Sequence, residues 1–188
     1  KSRWYVSVCD VNAWYMLSSN DILLPAAFLQ PPFYDVNASR EENLGGIGGI
    51  IAHEITHAID NIGCYWDEYG NEAATEENPY GWWTEEDYLA FVDRCEEVVA
   101  WYDGWETAPG LPCNGRMALS ENVADLGALR CIMDCAAEEE DIDYDVLFRS
   151  YARKWAAPIS REAIRYYTAA DVHANENLRV NRVLQSLD

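Results

Sequence analysis

The spacing of apolar residues divides the chain into a short β-like start and a long helical remainder. Residues 4–8 (WYVSV) and 11–17 (VNAWYML) are dense in β-branched and aromatic side chains, and Ser18, Ser19, Asn20 and Asp21 separate them from the apolar residues 22–24. This pattern predicts strands joined in a β-hairpin that ends at Pro25, with Pro31 and Pro32 marking a loop beyond it. From residue 43 to 62 the period becomes helical, because Ile47, Ile51, Ile55, Ala58 and Ile62 recur three and four apart. Gly45, Gly46, Gly48 and Gly49 would weaken an isolated helix. Their presence predicts close packing of this segment against a neighbour.

Later elements announce themselves by caps. Thr84, followed by Glu85, Glu86 and Asp87, predicts the start of a second helix, since acids suit the first turn. Residues 103–116 read as a Gly/Pro-rich loop. Ser120 is the expected cap of a third helix over 121–137, with Val123, Leu126, Leu129 and Met133 inward. The acidic run 138–143 reads as a solvated connection. A fourth helix is expected over 145–157, a fifth after Ser160, and a last one over 179–187. A few strands followed by mostly helices give an α+β class.

The chain has 188 residues, 49% of them apolar, enough for one core and one domain spanning 1–188. Lys and Arg number 13 against 33 Asp and Glu, a formal charge of −20. That surface repels phosphate backbones and anionic lipid heads, so nucleic acid is not an expected partner. No apolar run is long enough to span a membrane, so this segment is expected to make no membrane contact. The sequence opens at Lys1 without an initiator Met and reads as a piece of a longer chain. Six cysteines could form up to three disulfides, with a connectivity the sequence does not give, but they lack the C-x-x-C zinc spacing and the plainer expectation is mostly buried free thiols.

The chemistry concentrates in His53-Glu54-Ile55-Thr56-His57, an H-E-x-x-H motif on a predicted helix. Residues i and i+4 share a helix face, so both imidazoles can reach one Zn²⁺. Glu54 can then act as general base toward the water that such an ion carries. Chance matches place both histidines on a helix surface. Here the helix is apolar, and two uncoordinated histidines would be costly to bury. A catalytic zinc needs a third protein ligand, and the chain offers only His173 or a carboxylate. Glu121 and Asp125, i and i+4 on the third helix, form an inward carboxylate pair. Glu121 is the candidate ligand, and Asp125 the acceptor of a ligand histidine's free ring N–H. Taken alone, the pair could equally decorate a helix start.

With these residues in place, the chain resembles the neprilysin and endothelin-converting enzyme family of zinc endopeptidases. The resemblance rests on His53 to Asp60 (HEITHAID) and on Glu121 to Leu126 (ENVADL). It is carried further by Asn12-Ala13-Trp14-Tyr15, Gln30-Pro31-Pro32-Phe33, Trp82-Trp83-Thr84, Asp171-Val172-His173 and Arg179-Val180-Asn181. Position 63 is Gly, where metzincins would need a third histidine nearby. The resemblance implies a thermolysin-like fold, a small sheet followed by a helical lobe, with one zinc per chain. It implies that Asn12 and Ala13 hold a peptide backbone as an added edge strand. His173 would stabilise the oxyanion, and Arg179 would bind a substrate carbonyl or carboxylate. Phe28, Phe33, Ile50 and Trp155 would form an apolar pocket for the residue after the cleaved bond, with core packing an equal alternative. Asp60 is open between a role behind the ligands and one on the helix surface. Family members also carry a helical lid domain and a further C-terminal segment, both absent from this sequence. The expected activity is zinc-dependent cleavage of internal peptide bonds. The alternative is a non-catalytic, zinc-containing fragment that binds peptides along residues 12–15.

Overall fold

The computed structural model describes residues 5–187 of the chain. A hairpin forms where the pattern placed it, but it is shorter. Strand β1 (Trp14–Met16) pairs antiparallel with β2 (Asp21–Leu23). The turn between them relies on Asn20, at φ 50°, a conformation its short amide side chain tolerates. That side chain accepts a hydrogen bond from Tyr15 and donates one to the Glu68 carbonyl. The expected strand over 4–8 does not form. Trp4 lies outside the described residues, and 5–8 are irregular. Tyr5, Val8 and Val11 are exposed, so no apolar surface rewards an extended pairing, and the Asp10 carboxylate instead closes a turn on the Ser7 N–H.

The helix through the H-E-x-x-H motif is broken in character. It begins as α1 (Arg40–Asn43), with Ser39 and Glu42 forming a reciprocal capping box. It then widens into a π-turn over Leu44–Gly48 and resumes as α2 (Gly49–Thr56). The widening has a local cause, because the Ile47 N–H is diverted to the Phe33 carbonyl at 2.7 Å. Two of the glycines explain themselves here. A Cβ at Gly45 would lie 2.3 Å from the Leu147 carbonyl oxygen, and one at Gly46 would lie 2.4 Å from that of Phe33. Gly45→Ala should therefore cost about 1–3 kcal/mol through overpacking against backbone. A urea melt would measure it, and an unchanged midpoint would show that the neighbouring helix yields freely.

The helix does not run to residue 62. It stops at His57, its C-cap, because Asp60 Oδ1 captures the N–H groups of Ile62 and Gly63 and turns the chain back. Ile59 and Ile62 consequently sit on the surface.

The remaining chain is a helical lobe. Helix α3 (Glu85–Tyr102) is capped by Thr84 as expected. A two-stranded ribbon, β3 (Glu106–Ala108) with β4 (Leu111–Pro112), lies within the stretch read as a loop. Helix α4 (Leu119–Ala137) starts two residues early. Ser120 is thus inside it and caps nothing. Its buried face holds Ala124, Ala128, Leu129, Ile132 and Ala136, while Val123, Leu126 and Met133 are only half-buried. Small residues there let α2 approach closely: a Cβ at Gly127 would meet the Thr56 side chain at 2.5 Å.

Helix α5 (Tyr144–Arg153), capped by Asp143, ends four residues before its expected stop. Helices α6 (Arg161–Ala170), capped by Ser160, and α7 (Glu176–Leu184) complete the lobe. One core gathers Tyr102, Leu129, Ile132, Leu147, Tyr151, Leu178 and Val183. A smaller one joins the hairpin to α2 through Ala13, Phe28, Ile47 and Ile50. The domain is mostly helical with two small antiparallel sheets. The six thiols are unpaired, and half of them, Cys9, Cys131 and Cys135, are exposed rather than buried.

Candidate metal centre

Helices α2 and α4 pack face to face, and their contact line carries the metal-type residues. His53 and His57 project from α2 one turn apart, and Glu121 faces them from the first turn of α4. One potential ligand atom from each of the three lies within 4.8 Å of the others. His53 Nε2 is 3.1 Å from His57 Nε2 and 3.2 Å from Glu121 Oε2, and His57 Nε2 is 3.7 Å from Glu121 Oε1. Tetrahedral bonds of about 2.0–2.1 Å to one zinc would set its ligand atoms roughly 3.3 Å apart. The observed spacings bracket that value.

The other ring nitrogens explain why the Nε2 atoms converge. His53 Nδ1 donates to Asp125 Oδ1 at 2.9 Å, and His57 Nδ1 donates to Asp60 Oδ2 at 2.6 Å. Ionised carboxylates only accept, which places a proton on each Nδ1. In the neutral rings both Nε2 lone pairs then face one another and a carboxylate, an arrangement that calls for a cation. Glu121 Oε2 is also buried without a hydrogen-bond partner. Burial works against a charged His53, yet the carboxylates of Asp125 and Glu121 on either side of its ring prevail and push it up to about 9. The residues present fit a divalent ion with nitrogen and oxygen ligands.

The supporting acids are deeply placed. Asp60 accepts from His57, Ser120 and the backbone of Ile62 and Gly63. Burial pushes its carboxyl up, but those four donors hold it below the ordinary range. Asp125 is similarly opposed by burial, and Arg179 and His53 hold it far below that range. Arg179 forms a fork on Asp125, with Nε to Oδ2 at 2.7 Å and Nη2 to Oδ1 at 2.9 Å. Its guanidinium lies 3.8 Å over the Trp155 ring. Glu54 is buried beside the ligands, and burial raises its carboxyl.

A cleft of about 360 Å³ opens on this group. Asn12, Ala13, Phe28, Ile50, Glu54, Trp155, His173 and Arg179 line it together with the three candidate ligands. His173 stands at its mouth, with Nε2 3.2 Å from Glu121 Oε2 and Nδ1 held by Asp171 at 2.6 Å. Phe33 is not brought in. Its ring lies tilted against Phe28 at 4.3 Å between centroids and faces a different cavity. Sequence reasoning missed the parts played by Ser120 and Asp171. Asp171 carried a signal, since it stands two residues before His173. Ser120 did not, because its partner Asp60 lies on another element.

A helix-borne pair of histidines, a facing glutamate and a buried glutamate beside them define a metallopeptidase-type centre in a helical domain. The chain belongs to Peptidase family M13, which it matches over residues 12–188. It is 41% identical over 181 residues to a neutral endopeptidase of Lactococcus lactis subsp. lactis, covering 96% of this chain and 28% of that protein. It is 32% identical over 200 residues to an endothelin-converting enzyme homolog of Locusta migratoria, covering 100% and 26%. Among solved structures, PEPO from Lactobacillus rhamnosis superposes with a TM-score of 0.87 at 38% identity, covering 97% of this chain and 28% of that one. The Mycobacterium tuberculosis zinc metalloprotease ZMP1, in complex with inhibitor, gives 0.87 at 30% identity, covering 98% and 29%. The chain thus spans under a third of the length of these relatives.

Proposed function

We propose that the chain is the catalytic portion of a zinc endopeptidase, cleaving internal bonds of peptides before residues with large apolar side chains. The observation that carries this reading is the convergence of the His53 and His57 Nε2 atoms on the Glu121 carboxylate, whose Oε2 has no hydrogen-bond donor, beside buried Glu54. His53, His57 and Glu121 would hold one zinc ion per chain. Bound there, zinc supplies a Lewis acid that polarises a carbonyl and lowers the pKa of water. Glu54 takes the proton of the attacking water and passes it to the leaving amine. Its raised carboxyl suits both halves of that task.

Asp125 and Asp60 hold the two ligand imidazoles in the tautomer that leaves Nε2 free. His173, oriented by Asp171, donates to the oxygen that turns negative as the carbonyl is attacked. Asn12 and Ala13 supply an edge for the extended substrate backbone. Phe28, Ile50 and Trp155 receive the side chain that follows the cleaved bond, and Phe33 backs them. Arg179, whose Nε and Nη2 are committed to Asp125, borders the same end of the cleft and there meets substrate. The layout is thermolysin-like, with a hairpin beside a helical lobe and the metal residues between helices.

Peptides are the partners this cleft suits. No helix among the described residues is long and apolar enough to cross a membrane. In a longer parent protein, a lid domain would close over the cleft and limit substrate size. The test is cleavage of a mixed peptide library by the purified protein with zinc analysis in parallel. Internal cleavage abolished by a chelator and restored by zinc is expected. Bound zinc without cleavage would overturn catalysis by this chain.

A further inference from the structure

His173 sits in the loop between α6 and α7, and the two ends of that loop are held differently. At the near end Asp171, the C-cap of α6, accepts from the His173 N–H and from its Nδ1. That contact sets the rotation of the ring. It does not set where the loop stands, because Val172 and His173 are themselves exposed. The far end, at Ala174 and Asn175, is buried.

Asn175 is the N-cap of α7, and its carbonyl receives the N–H groups of Leu178 and Arg179. Asparagine in such a place ordinarily turns its side-chain oxygen onto the first N–H groups of the helix. Asn175 makes no such cap. Its amide points away from α7 and donates to Thr168 Oγ1 on α6 at 2.7 Å. Thr168 is prepared to accept, since its single hydroxyl proton goes to the Ile164 carbonyl at 2.8 Å and leaves its lone pairs free. Thr107 of β3 stands 3.1 Å from the same hydroxyl, and Asn177 donates to the Thr107 carbonyl at 3.1 Å. The start of α7 is thus tied both to α6 and to the ribbon. A cavity of about 10 Å³, too small for a ligand, is walled in part by Thr107, Thr168, Asn175 and His173. His173 therefore backs directly onto this network.

We propose that Asn175 is a positioning residue for His173: its bond to Thr168 fixes where the loop carrying the imidazole stands, and Asp171 then fixes the rotation of the ring. The inference rests on the proposed oxyanion role of His173 and adds the groups that keep it in place. Asn175 and Thr168 do not line the cleft, so they act through His173. Placement on this scale matters, because an error of about 1 Å in a reacting group can cost about 10²-fold in rate.

The experiment uses the zinc-loaded protein with Asn175→Ser, Thr168→Val, Thr168→Ser and His173→Ala. Serine at 175 can still cap α7 but is too short to reach Thr168, and valine at 168 removes the acceptor without changing shape. Both should lower kcat by about 10–100-fold and leave KM unchanged, because the oxyanion exists only in the transition state. Thr168→Ser keeps the hydroxyl and should restore kcat. In the His173→Ala background Asn175→Ser should lower kcat by no more than about twofold further, since the group it positions is gone. An unchanged kcat in Asn175→Ser and Thr168→Val, or the same loss with His173 already removed, overturns the proposal. A binding arm needs no cleavage. It compares a phosphinic peptide, whose tetrahedral oxygens stand in for the oxyanion, with a thiol peptide that presents none. Asn175→Ser should weaken the first by about 10–100-fold and leave the second within about twofold. If His173→Ala binds both as the wild type does, the oxyanion reading has failed and the proposal falls with it. If His173→Ala loses the phosphinic peptide and Asn175→Ser does not, the proposal alone is overturned. Thr168→Val carries the same readouts if a thermal melt shows that Asn175→Ser does not fold.

Discussion

Glu54→Gln is expected to leave zinc bound and to lower peptide cleavage by about 10²–10⁴-fold, the range for losing one acid–base group. The substitution keeps size and shape at a site only 6% exposed, so packing between α2 and α4 is preserved. The lost property is the capacity to take a proton and return it. Neither His53 nor His57 can substitute, because each Nδ1 is committed to an aspartate and each Nε2 to the metal position. His173 cannot either, since its proposed role is to donate and Asp171 already holds its other nitrogen. Turnover and zinc content measured on one preparation would decide. Turnover within a few-fold of wild type, with zinc retained, removes Glu54 as the base. Loss of both together would mean that Glu54 acts by shaping the site.

What could be read from the sequence is what sits within a turn or two of itself. The caps Thr84 and Ser160 act on backbone N–H groups three residues on, and both were legible. The i, i+4 spacings of His53 with His57 and of Glu121 with Asp125 bring the two halves of the candidate centre together on facing helices. Contacts between elements were not legible. Ser120 has a good capping side chain, but its hydroxyl donates to Asp60 across the helix interface. The early end of α2 depends on Asp60 capturing two N–H groups downstream, which outweighs the helical period of Ile59 and Ile62. The π-turn needs the Phe33 carbonyl, supplied by a loop that the periodicity could not place. Arg179 was expected in the cleft, which it lines. Its bond to Asp125 was not, because 54 positions separate the two.

That bond carries the largest stability effect expected here. Asp125→Ala should cost about 3–5 kcal/mol, the usual result of stripping one partner from a buried ion pair. Asp125 is 1% exposed and accepts three hydrogen bonds, two from Arg179 and one from His53. Without it, the Arg179 guanidinium stays buried over Trp155 with no other carboxylate nearer than Glu121 Oε2 at 3.8 Å. His53 would also lose the acceptor that fixes its tautomer, so zinc affinity should fall by roughly 10–100-fold. A double-mutant cycle separates the two effects. Arg179→Met removes the stranded charge, so Asp125→Ala combined with Arg179→Met should be more stable than Asp125→Ala alone. Zinc affinity should not recover in the double variant, because the acceptor for His53 is still missing. Urea melts of the apo proteins and zinc competition against a chelating dye read these separately. If Arg179→Met restored both stability and zinc affinity, Asp125 would act on the metal site only by neutralising Arg179, and its proposed hold on the His53 tautomer would be wrong.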